Sequence, residues 1–572
     1  TRVNHETNEV RAINVWPDNP MGHGAEGMKY RFQWNFPIFF SKHDPDKLYA
    51  ASNHLHVTTN EGQSWTTISP DLTRDDSAKL VSSGGPITQD NTGVEYYCTI
   101  FAATESNFEE GTLWTGSDDG LVHITQDGGE SWKDITPKDM PEWIMINSID
   151  ADPFEKGGAY IAATKYKSGD YQPYLFKTKD YGKTWTKITS GIPNDHFTRV
   201  VRADPNHKGI LYAGTESGMY ISFDDGANWQ PFQLNLPVVP ITDLTVKGAN
   251  LIAATQGRGF WIIDDLMPLY QIEKVKEKSH YLFQPQDSYR MDGRQVENLK
   301  TSGINHPGGV MLYYYLDQEP DSSQTISLSF YNEAGELVKK IGDNADDPSD
   351  TIPSQAGMNY YNWDMRTEDA TKFDGMVLWW SSLNGPKVVP GHYTASLKVG
   401  ADSVTQNFKI LADPRITASK EDLEAQYNFL SEIRDKVSET HEAITDLRKT
   451  RSSLNSLKER LGEAEEWEAL TAHIDSTVHK LTEIEETLYQ TKSKSSQDPL
   501  NFPIRLNNKL AHLLSLNGMG DFKPTDQEVE LKNELTAKID AQLEMYRSIK
   551  KNSIPEINEL VIEMKVPAIS AD

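Results

Sequence analysis

Five acidic side chains stand where two of them could hydrolyse a glycosidic bond. Alternating apolar runs place them near predicted strand ends or in loops between strands, at Glu26, Glu105, Asp118, Asp119 and Asp243. Glycosidases use two carboxyl groups whose separation, about 5 Å or about 9 Å, decides the mechanism. The sequence does not fix that separation, so a carboxylate-pair hydrolase stays open as an alternative.

A second group of residues has the chemistry of a binding site. It comprises His23, Tyr30, Arg31, Gln33, Trp34 and Arg258. We expect these side chains at the ends of inner strands, where they could line the mouth of a central channel. Arg258 could instead pair with an acidic residue such as Asp264.

Two histidines alternate along one predicted strand, at His54 and His56. Two imidazoles on one face can begin a zinc site, but a third ligand is not evident. We therefore expect histidines that lie on the surface or are satisfied by hydrogen bonds, and no metal site.

Four segments share the pattern Ser/Thr-x-Asp-x-Gly-x-x-Trp, here called the Asp-box segments. They span 58–65, 125–132, 178–185 and 222–229. Their key residues are Asn60 (in place of Asp) and Trp65, Asp127 and Trp132, Asp180 and Trp185, and Asp224 and Trp229. Such spacing indicates a hairpin turn whose Asp accepts backbone N–H bonds, whose Gly takes a positive φ and whose Trp packs between sheets. We therefore expect structural roles for these aspartates, in outer turns away from the channel.

Short apolar strands surround each Asp-box segment and predict antiparallel sheets. Five units follow, near 30–70, 92–136, 143–190, 197–233 and 238–265, and the last has no Asp-box. Stacked radially, they form a β-propeller over 30–270. Residues 1–29 are interpreted as a remnant of a preceding blade or a closing strand. Since the chain begins at Thr1 without Met, we expect six or seven blades, some from preceding sequence.

These repeats resemble the BNR/Asp-box superfamily, whose fold is the β-propeller of sialidases, sortilin-type receptors and photosystem assembly factors. The stretches 16–35, 173–178 and 255–265 are similar to the C-terminal portion of large bacterial sortilin-like proteins, often labelled glycosyl hydrolases. The resemblance implies a preceding propeller part and export to the periplasm or cell surface. The Phe-Arg-Ile-Pro signature of sialidases is absent. The similar run at 501–505 lies in a predicted helical region, so sialidase activity is not expected.

Two further domains follow the propeller. Alternating strands over 280–412 predict an immunoglobulin-like β-sandwich without a cysteine pair. Its acidic loop could bind Ca²⁺ through Asp343, Asp346, Asp347 and Asp350, although a solvated loop is the simpler interpretation. Apolar residues that recur every seven positions predict an antiparallel helical bundle over 415–565.

The composition excludes several function classes. There are 56 basic and 84 acidic residues, a net charge of −28, which disfavours nucleic acid and anionic lipid surfaces as partners. No run approaches the ~18 apolar residues of a membrane span. Cys98 is the single cysteine, so no disulfide can form within the chain, and we expect an inert packed thiol.

The sequence thus favours a mainly β protein with a C-terminal helical domain, without a cofactor. We expect an exported or cell-surface propeller that binds or scaffolds a protein, peptide or glycan without catalysis. The alternative is a glycoside hydrolase that acts on extracellular polysaccharide.

Overall fold

The computed structural model describes residues 1–293, 302–321, 324–342 and 351–567. The chain divides into two compact units, Thr1–Leu266 and Met267–Asp572. It is mainly β, with many antiparallel sheets and a C-terminal helical region, as the sequence predicts.

The first unit opens with a short antiparallel hairpin, β1 (Arg2–Val3) and β2 (Val10–Arg11). Five sheets follow in chain order. The first sheet contains β3 (Ile38–Phe40), β4 (Leu48–Ala51), β5 (Leu55–Thr58) and β6 (Thr66–Thr67). After α1 (Ser77–Leu80), the second sheet contains β7 (Ile100–Glu105), β8 (Leu113–Ser117), β9 (Val122–Thr125) and β10 (Lys133–Asp134).

The remaining three sheets have the same antiparallel order. The third contains β11 (Met145–Ala151), β12 (Ala159–Lys165), β13 (Asp170–Thr178) and β14 (Thr186–Lys187). The fourth contains β15 (Thr198–Ala203), β16 (Leu211–Thr215), β17 (Gly218–Ser222) and β18 (Gln230–Pro231). The fifth has three strands, β19 (Ile241–Lys247), β20 (Asn250–Thr255) and β21 (Phe260–Ile263).

Consecutive sheets pack face to face through apolar side chains. Trp114 of the second sheet shares a core with Ile146 and Phe176 of the third, and Leu175 of the third packs with Val201 of the fourth. The first strands of neighbouring sheets lie side by side, since β11 contacts both β7 and β15, and β15 contacts β19. These sheets are the blades of a β-propeller, numbered one to five, and their first strands are the inner strands.

The up-and-down order gives each blade two ends. At the end where the inner strands begin lie the connections between blades and the turns between second and third strands. We call this the pocket end. At the other end, the box end, lie the turns between first and second strands and the Asp-box turns between third and fourth strands.

The second unit begins with α2 (Met267–Gln271) and a pair of facing sheets. One has the order β22 (His280–Leu282), β24 (Val310–Leu316), β27 (Gly357–Trp363). The other has the order β23 (Ser288–Tyr289), β29 (Asp402–Leu411), β28 (Gly391–Val399), β25 (Ile326–Asn332), β26 (Leu337–Ile341). Leu312, Trp363 and Phe408 belong to the core that both sheets share. Residues 343–350, with the four candidate calcium ligands, lie outside the described residues.

Helices complete the second unit: α3 (Lys420–Leu461), α4 (Glu468–Leu488), α5 (Leu506–Asn517), α6 (Asp526–Ser548) and α7 (Ile554–Glu563). Ser419 caps α3 and exchanges hydrogen bonds with Asp422, which explains why the helix begins there. The seven-residue stripe of α3, including Leu430 and Ile444, is buried against Leu481 and Leu543. No described helix is long and apolar enough to cross a membrane.

Candidate binding site at the pocket end of the propeller

The four Asp-box segments form one kind of turn. Asp127 Oδ1 accepts hydrogen bonds from Ser131 N (2.9 Å) and Thr125 Oγ1 (2.7 Å). Gly129, at φ 103°, donates its N–H to Thr125 Oγ1 (3.0 Å). Hydrogen bonds from Ser131 and Thr125 lower the pKa of Asp127 to about 2. The Asp127 carboxylate is therefore hydrogen-bonded within its own turn and has a structural role.

The other three boxes repeat this geometry. The same backbone hydrogen bond reaches Asn60 from Ser64 N (3.0 Å), Asp180 from Thr184 N (2.9 Å) and Asp224 from Asn228 N (2.8 Å). Asn60 carries no charge, so the turn needs an acceptor oxygen and not a carboxylate.

Each box tryptophan ties its blade to the element before it. The indole N–H groups donate to main-chain carbonyls: Trp65 to Ile13 (3.0 Å), Trp132 to Ile68 (2.9 Å), Trp185 to Ile135 (2.7 Å) and Trp229 to Ile188 (2.7 Å). The conspicuous residues of the repeat therefore hold blades together.

Of the five candidate catalytic carboxylates, Glu105 and Asp243 are engaged by other groups of the protein and Glu26 is exposed. Glu105 is fully buried and accepts from Ser41 Oγ (2.6 Å), Lys42 N (2.9 Å) and Gly111 N (3.0 Å). Asp243 pairs with Arg202 (2.7 Å). Glu26 is exposed on a short 3₁₀ turn.

Asp118 and Asp119 are neighbours in the turn between β8 and β9, and their surroundings differ. Asp119 is fully buried and accepts from Arg74 N (2.8 Å) and Ser117 Oγ (2.5 Å). Asp118 accepts from Thr99 N and Thr99 Oγ1, both at 2.9 Å. Burial outweighs these bonds and raises the pKa of Asp118 to about 7. Asp118 is therefore a buried carboxyl whose pKa is raised into the neutral range.

A pocket of about 370 Å³ opens at the pocket end, and Asp118 lies in its wall. Its polar lining is Gln33, Glu95, Asp118, Thr164, Lys165, Lys167 and Ser168, and its apolar and aromatic lining is Tyr96, Tyr97, Phe101, Trp143, Met145 and Tyr166. The lining comes from the connections before β3, β7 and β11 and from the inner strands β7 and β11. The turn between β8 and β9 supplies Asp118, and the end of β12 with the turn after it supplies the remaining residues. Three blades thus build one concave site.

The aromatic wall is held in place by stacking. Trp143 stacks on Tyr97 with ring centroids 6.3 Å apart, and Lys79 Nζ lies 4.4 Å from its ring. Tyr166 stacks on Phe197 at 4.8 Å. Burial, together with Asp118 and Asp119, raises the pKa of Tyr97, so its hydroxyl stays protonated.

Gln33 and Trp34, two of the residues predicted to bind, lie at or beside this pocket. Gln33 lines it and donates Nε2–H to Tyr96 O (3.0 Å). Trp34 is 66% exposed, and its indole donates to Glu95 Oε1 (3.0 Å).

Arg31 is placed in the protein interior instead, whereas Tyr30 is half-buried and lines a separate cavity of about 340 Å³. The Arg31 guanidinium is buried, bonds to Cys98 O (3.1 Å) and pairs with Asp71 (2.7 Å). Tyr30 OH bonds to Thr67 Oγ1 (3.0 Å). The Arg31 guanidinium and the Tyr30 hydroxyl are therefore already hydrogen-bonded within the protein.

His23 and Arg258 are exposed. Arg258 donates to Gly257 O (2.9 Å), in the turn between β20 and β21. Neither residue lines the pocket. Their predicted role in binding stays a prediction.

Sequence reasoning missed Tyr97, Trp143, Lys165 and Lys167. One signal was available, because the connection over 68–99 is far longer than its counterparts in the other blades. Long connections without regular structure often carry binding sites.

The histidine pair and the cysteine do not form reactive sites. Both ring nitrogens of His56 are hydrogen-bonded, to Ser52 Oγ (2.8 Å) and Thr67 Oγ1 (3.1 Å). Burial lowers the pKa of His56 to about 4 and raises that of the Cys98 thiol to about 12. Within the described ranges, no three His, Cys, Asp or Glu side chains are grouped to hold a metal ion.

No family model and no curated protein matches the chain. Solved structures match weakly. They include YCF48 from Cyanidioschyzon merolae (19% identity, 29% of this chain and 53% of that chain, TM-score 0.23). Another is the GH74 xyloglucanase from Xanthomonas campestris (14% identity, 64% and 63%, TM-score 0.32). A third is YCF48 bound to D1 peptide (15% identity, 50% and 77%, TM-score 0.28). The chain spans about half to two thirds of the length of the first two, and at these TM-scores the likenesses carry no functional argument.

Proposed function

We propose that this protein is a non-catalytic binding protein, whose propeller holds a protein, peptide or glycan partner in the pocket beside Asp118. The observation that carries the proposal is the composition of that pocket. Aromatic walls, two lysines, an amide and a carboxyl whose pKa burial raises to about 7 line one concavity at the pocket end. A volume of about 370 Å³ suits a sugar unit or a few side chains of a peptide.

The hydrogen-bonding groups favour binding over chemistry. Asp118 holds two bonds from Thr99, and Glu95 is bonded to the exposed indole of Trp34. Lys165 and Lys167 add positive charge to a strongly acidic protein, so they favour a ligand with an acceptor or negative group at this point.

A glycoside hydrolase is the second candidate, and one observation favours it. Burial raises the pKa of Asp118 to about 7, which is the direction that a general acid working at neutral pH requires. Glu95 lines the same pocket and is the only other carboxylate there to serve as base or nucleophile.

The finer assignments remain part of this proposal. The box turns support membership of the BNR/Asp-box superfamily and the sortilin-like resemblance. We propose an immunoglobulin-like sandwich over 280–412 and a helical bundle over 415–565, which would position the propeller in an exported or outer-membrane assembly. The resemblance supports, as part of this proposal, a location in the periplasm or on the cell surface.

The test is binding by the full chain to panels of oligosaccharides and of peptides, together with an assay for released reducing ends. We expect saturable binding to one probe class without hydrolysis, and Lys167→Ala should weaken it about tenfold. Lys183→Ala, an exposed lysine in a box-end turn, is the matched control and should change nothing. Hydrolysis that Asp118→Asn abolishes would replace this proposal with the hydrolase.

A further inference from the structure

The two lysines of the pocket have no acidic partner, unlike lysines at the other end of the same blade. At the box end of blade three, Lys177 and Lys179 both pair with Asp225 of blade four (3.1 and 3.0 Å). At the pocket end, no ion pair joins Lys165 or Lys167 to a carboxylate within the described part of the chain. Their ammonium groups are therefore open to a ligand.

The carboxyl groups of the same pocket do not pair with these lysines. Glu95 Oε1 accepts a hydrogen bond from Trp34 Nε1 (3.0 Å), and the Asp118 oxygens accept from Thr99 N and Oγ1 (both 2.9 Å). Burial raises the pKa of Asp118 to about 7, and Lys167 is near enough to oppose this shift. Cationic and acidic groups thus line one concavity without being paired to each other, which leaves both kinds of group to a ligand.

The Trp143 ring in the pocket lining holds further positive charge beside the pocket. Lys79 Nζ and the Arg74 guanidinium carbon lie 4.4 Å and 4.8 Å from its centroid. Together with Lys165 and Lys167, they form a cationic cluster in a protein whose net charge is −28. This cluster is complementary to an anionic ligand at short range, while salt screens the acidic surface further away.

A sugar that carries a carboxylate matches this lining better than a neutral sugar or an acidic peptide. Its carboxylate can pair with the ammonium groups, while its hydroxyls donate to Glu95 and Asp118 and bond with the Ser168 hydroxyl. A neutral sugar leaves both lysines unpaired. The acidic side chains of a peptide bring only acceptors and negative charge, which Glu95 repels. The C–H face of a sugar ring also fits the aromatic part of the lining.

We propose that the pocket beside Asp118 binds an acidic glycan, with a uronate carboxylate on Lys165 and Lys167 and sugar hydroxyls on Glu95 and Asp118. This inference rests on the proposed binding function and names the class of its ligand. Lys165 and Lys167 are the residues that select an acidic sugar over a neutral one. Glu95 and Asp118 select a ligand with hydroxyl donors over one that carries only negative groups.

The test compares uronate trisaccharides with their methyl esters, which keep the sugar and remove the charge. Trimers of galacturonate, glucuronate, mannuronate and guluronate are the probes, and calorimetry with the full chain measures Kd. We expect at least one acid to bind about tenfold more tightly than its ester, because the ester cannot form the ion pairs. Raising the salt concentration from about 50 mM to about 500 mM should weaken binding of the acid and leave that of the ester unchanged.

Lysine variants show whether the pocket makes this selection. The double variant Lys165→Gln/Lys167→Gln should bring the Kd of the acid to that of its ester, since glutamine keeps hydrogen bonding and removes the charge. Its Tm should stay within about 1 °C of wild type, because neither lysine holds another part of the chain. Lys183→Gln, in an exposed box-end turn, is the matched control and should keep the preference for the acid. A preference that survives in the double variant would overturn the assignment.

The other outcomes separate this inference from the proposed function. Equal affinity for acid and ester would overturn the acidic glycan and leave the binding function in place. Tighter binding of a neutral oligosaccharide or an acidic peptide than of every uronate would do the same. If no sugar and no peptide bound, the inference and the proposed function would both be wrong.

Discussion

The box end and the pocket end of the propeller hold aspartates with opposite behaviour. At the box end, donors in the same turn lower the pKa of Asp127 to about 2. At the pocket end, burial raises the pKa of Asp118 to about 7. The box carboxylates are fixed as anions by local hydrogen bonds, whereas Asp118 owes its charge state to the blades around it. The residues of the repeat signature therefore stabilise the blades, and the candidate binding pocket lies at the other, less regular end.

The largest loss of stability should come from removing a contact between two blades at the box end. Trp229→Ala removes a buried indole and its bond to Ile188, which should lower the free energy of unfolding by about 3–5 kcal/mol. Trp34→Ala, at the exposed indole of the pocket end, should cost less than about 0.5 kcal/mol. Urea unfolding measures both variants. Similar losses would contradict the division between a structural end and a binding end.

The second largest effect should be the pH dependence of stability that Asp118 causes. Its folded pKa of about 7 lies above its unfolded value, so the folded state binds the extra proton and stability falls as pH rises from about 4 to 7. Asp118→Asn should remove that fall and stabilise the protein at pH 8 by about 1–3 kcal/mol. Exposed Asp195→Asn is the control. Parallel stability curves for wild type and Asp118→Asn would show that burial does not govern this carboxyl.

The box aspartates should show the opposite sign with a smaller effect. Their lowered pKa adds stability above pH 4, and this is lost as pH falls towards 2. Asp127→Asn copies the Asn60 turn, so it should fold normally and shift the acid midpoint by only a few tenths of a pH unit, roughly, because solvent screens the exposed carboxylate. Acid titration followed by tryptophan fluorescence measures this. Failure to fold would mean that the charge itself builds the turn.

The smallest effect is expected at Arg258. Its side chain is exposed, so Arg258→Ala should change stability by less than about 0.5 kcal/mol. The same variant should leave binding at the pocket unchanged, since Arg258 does not line it. If Arg258→Ala abolished binding, the binding site would have to include blade five.

The sequence predicted the elements better than the contacts between them. The Ser/Thr, Asp, Gly and Trp spacing located four hairpins, and Ser419 with Asp422 located the start of α3, because both depend on hydrogen bonds within a few residues. The partners of Arg31 and Glu105 could not be predicted, since Asp71 is 40 positions from Arg31 and Ser41 is 64 positions from Glu105. Arg31 and Glu105, which the sequence analysis chose for their reactive groups, proved to be buried and bonded within the protein.

By itself the sequence determined that the chain forms antiparallel blades and long amphipathic helices, because strand alternation, turn chemistry and helix caps act over short range. Only the tertiary structure decided which charged groups are available. It buried Asp118 beside Thr99 while leaving it in the pocket wall, and it gathered Tyr97, Trp143 and Lys167 from separate connections. Burial depends on what other parts of the chain bring near a residue, and that cannot be seen in the residue's own neighbourhood.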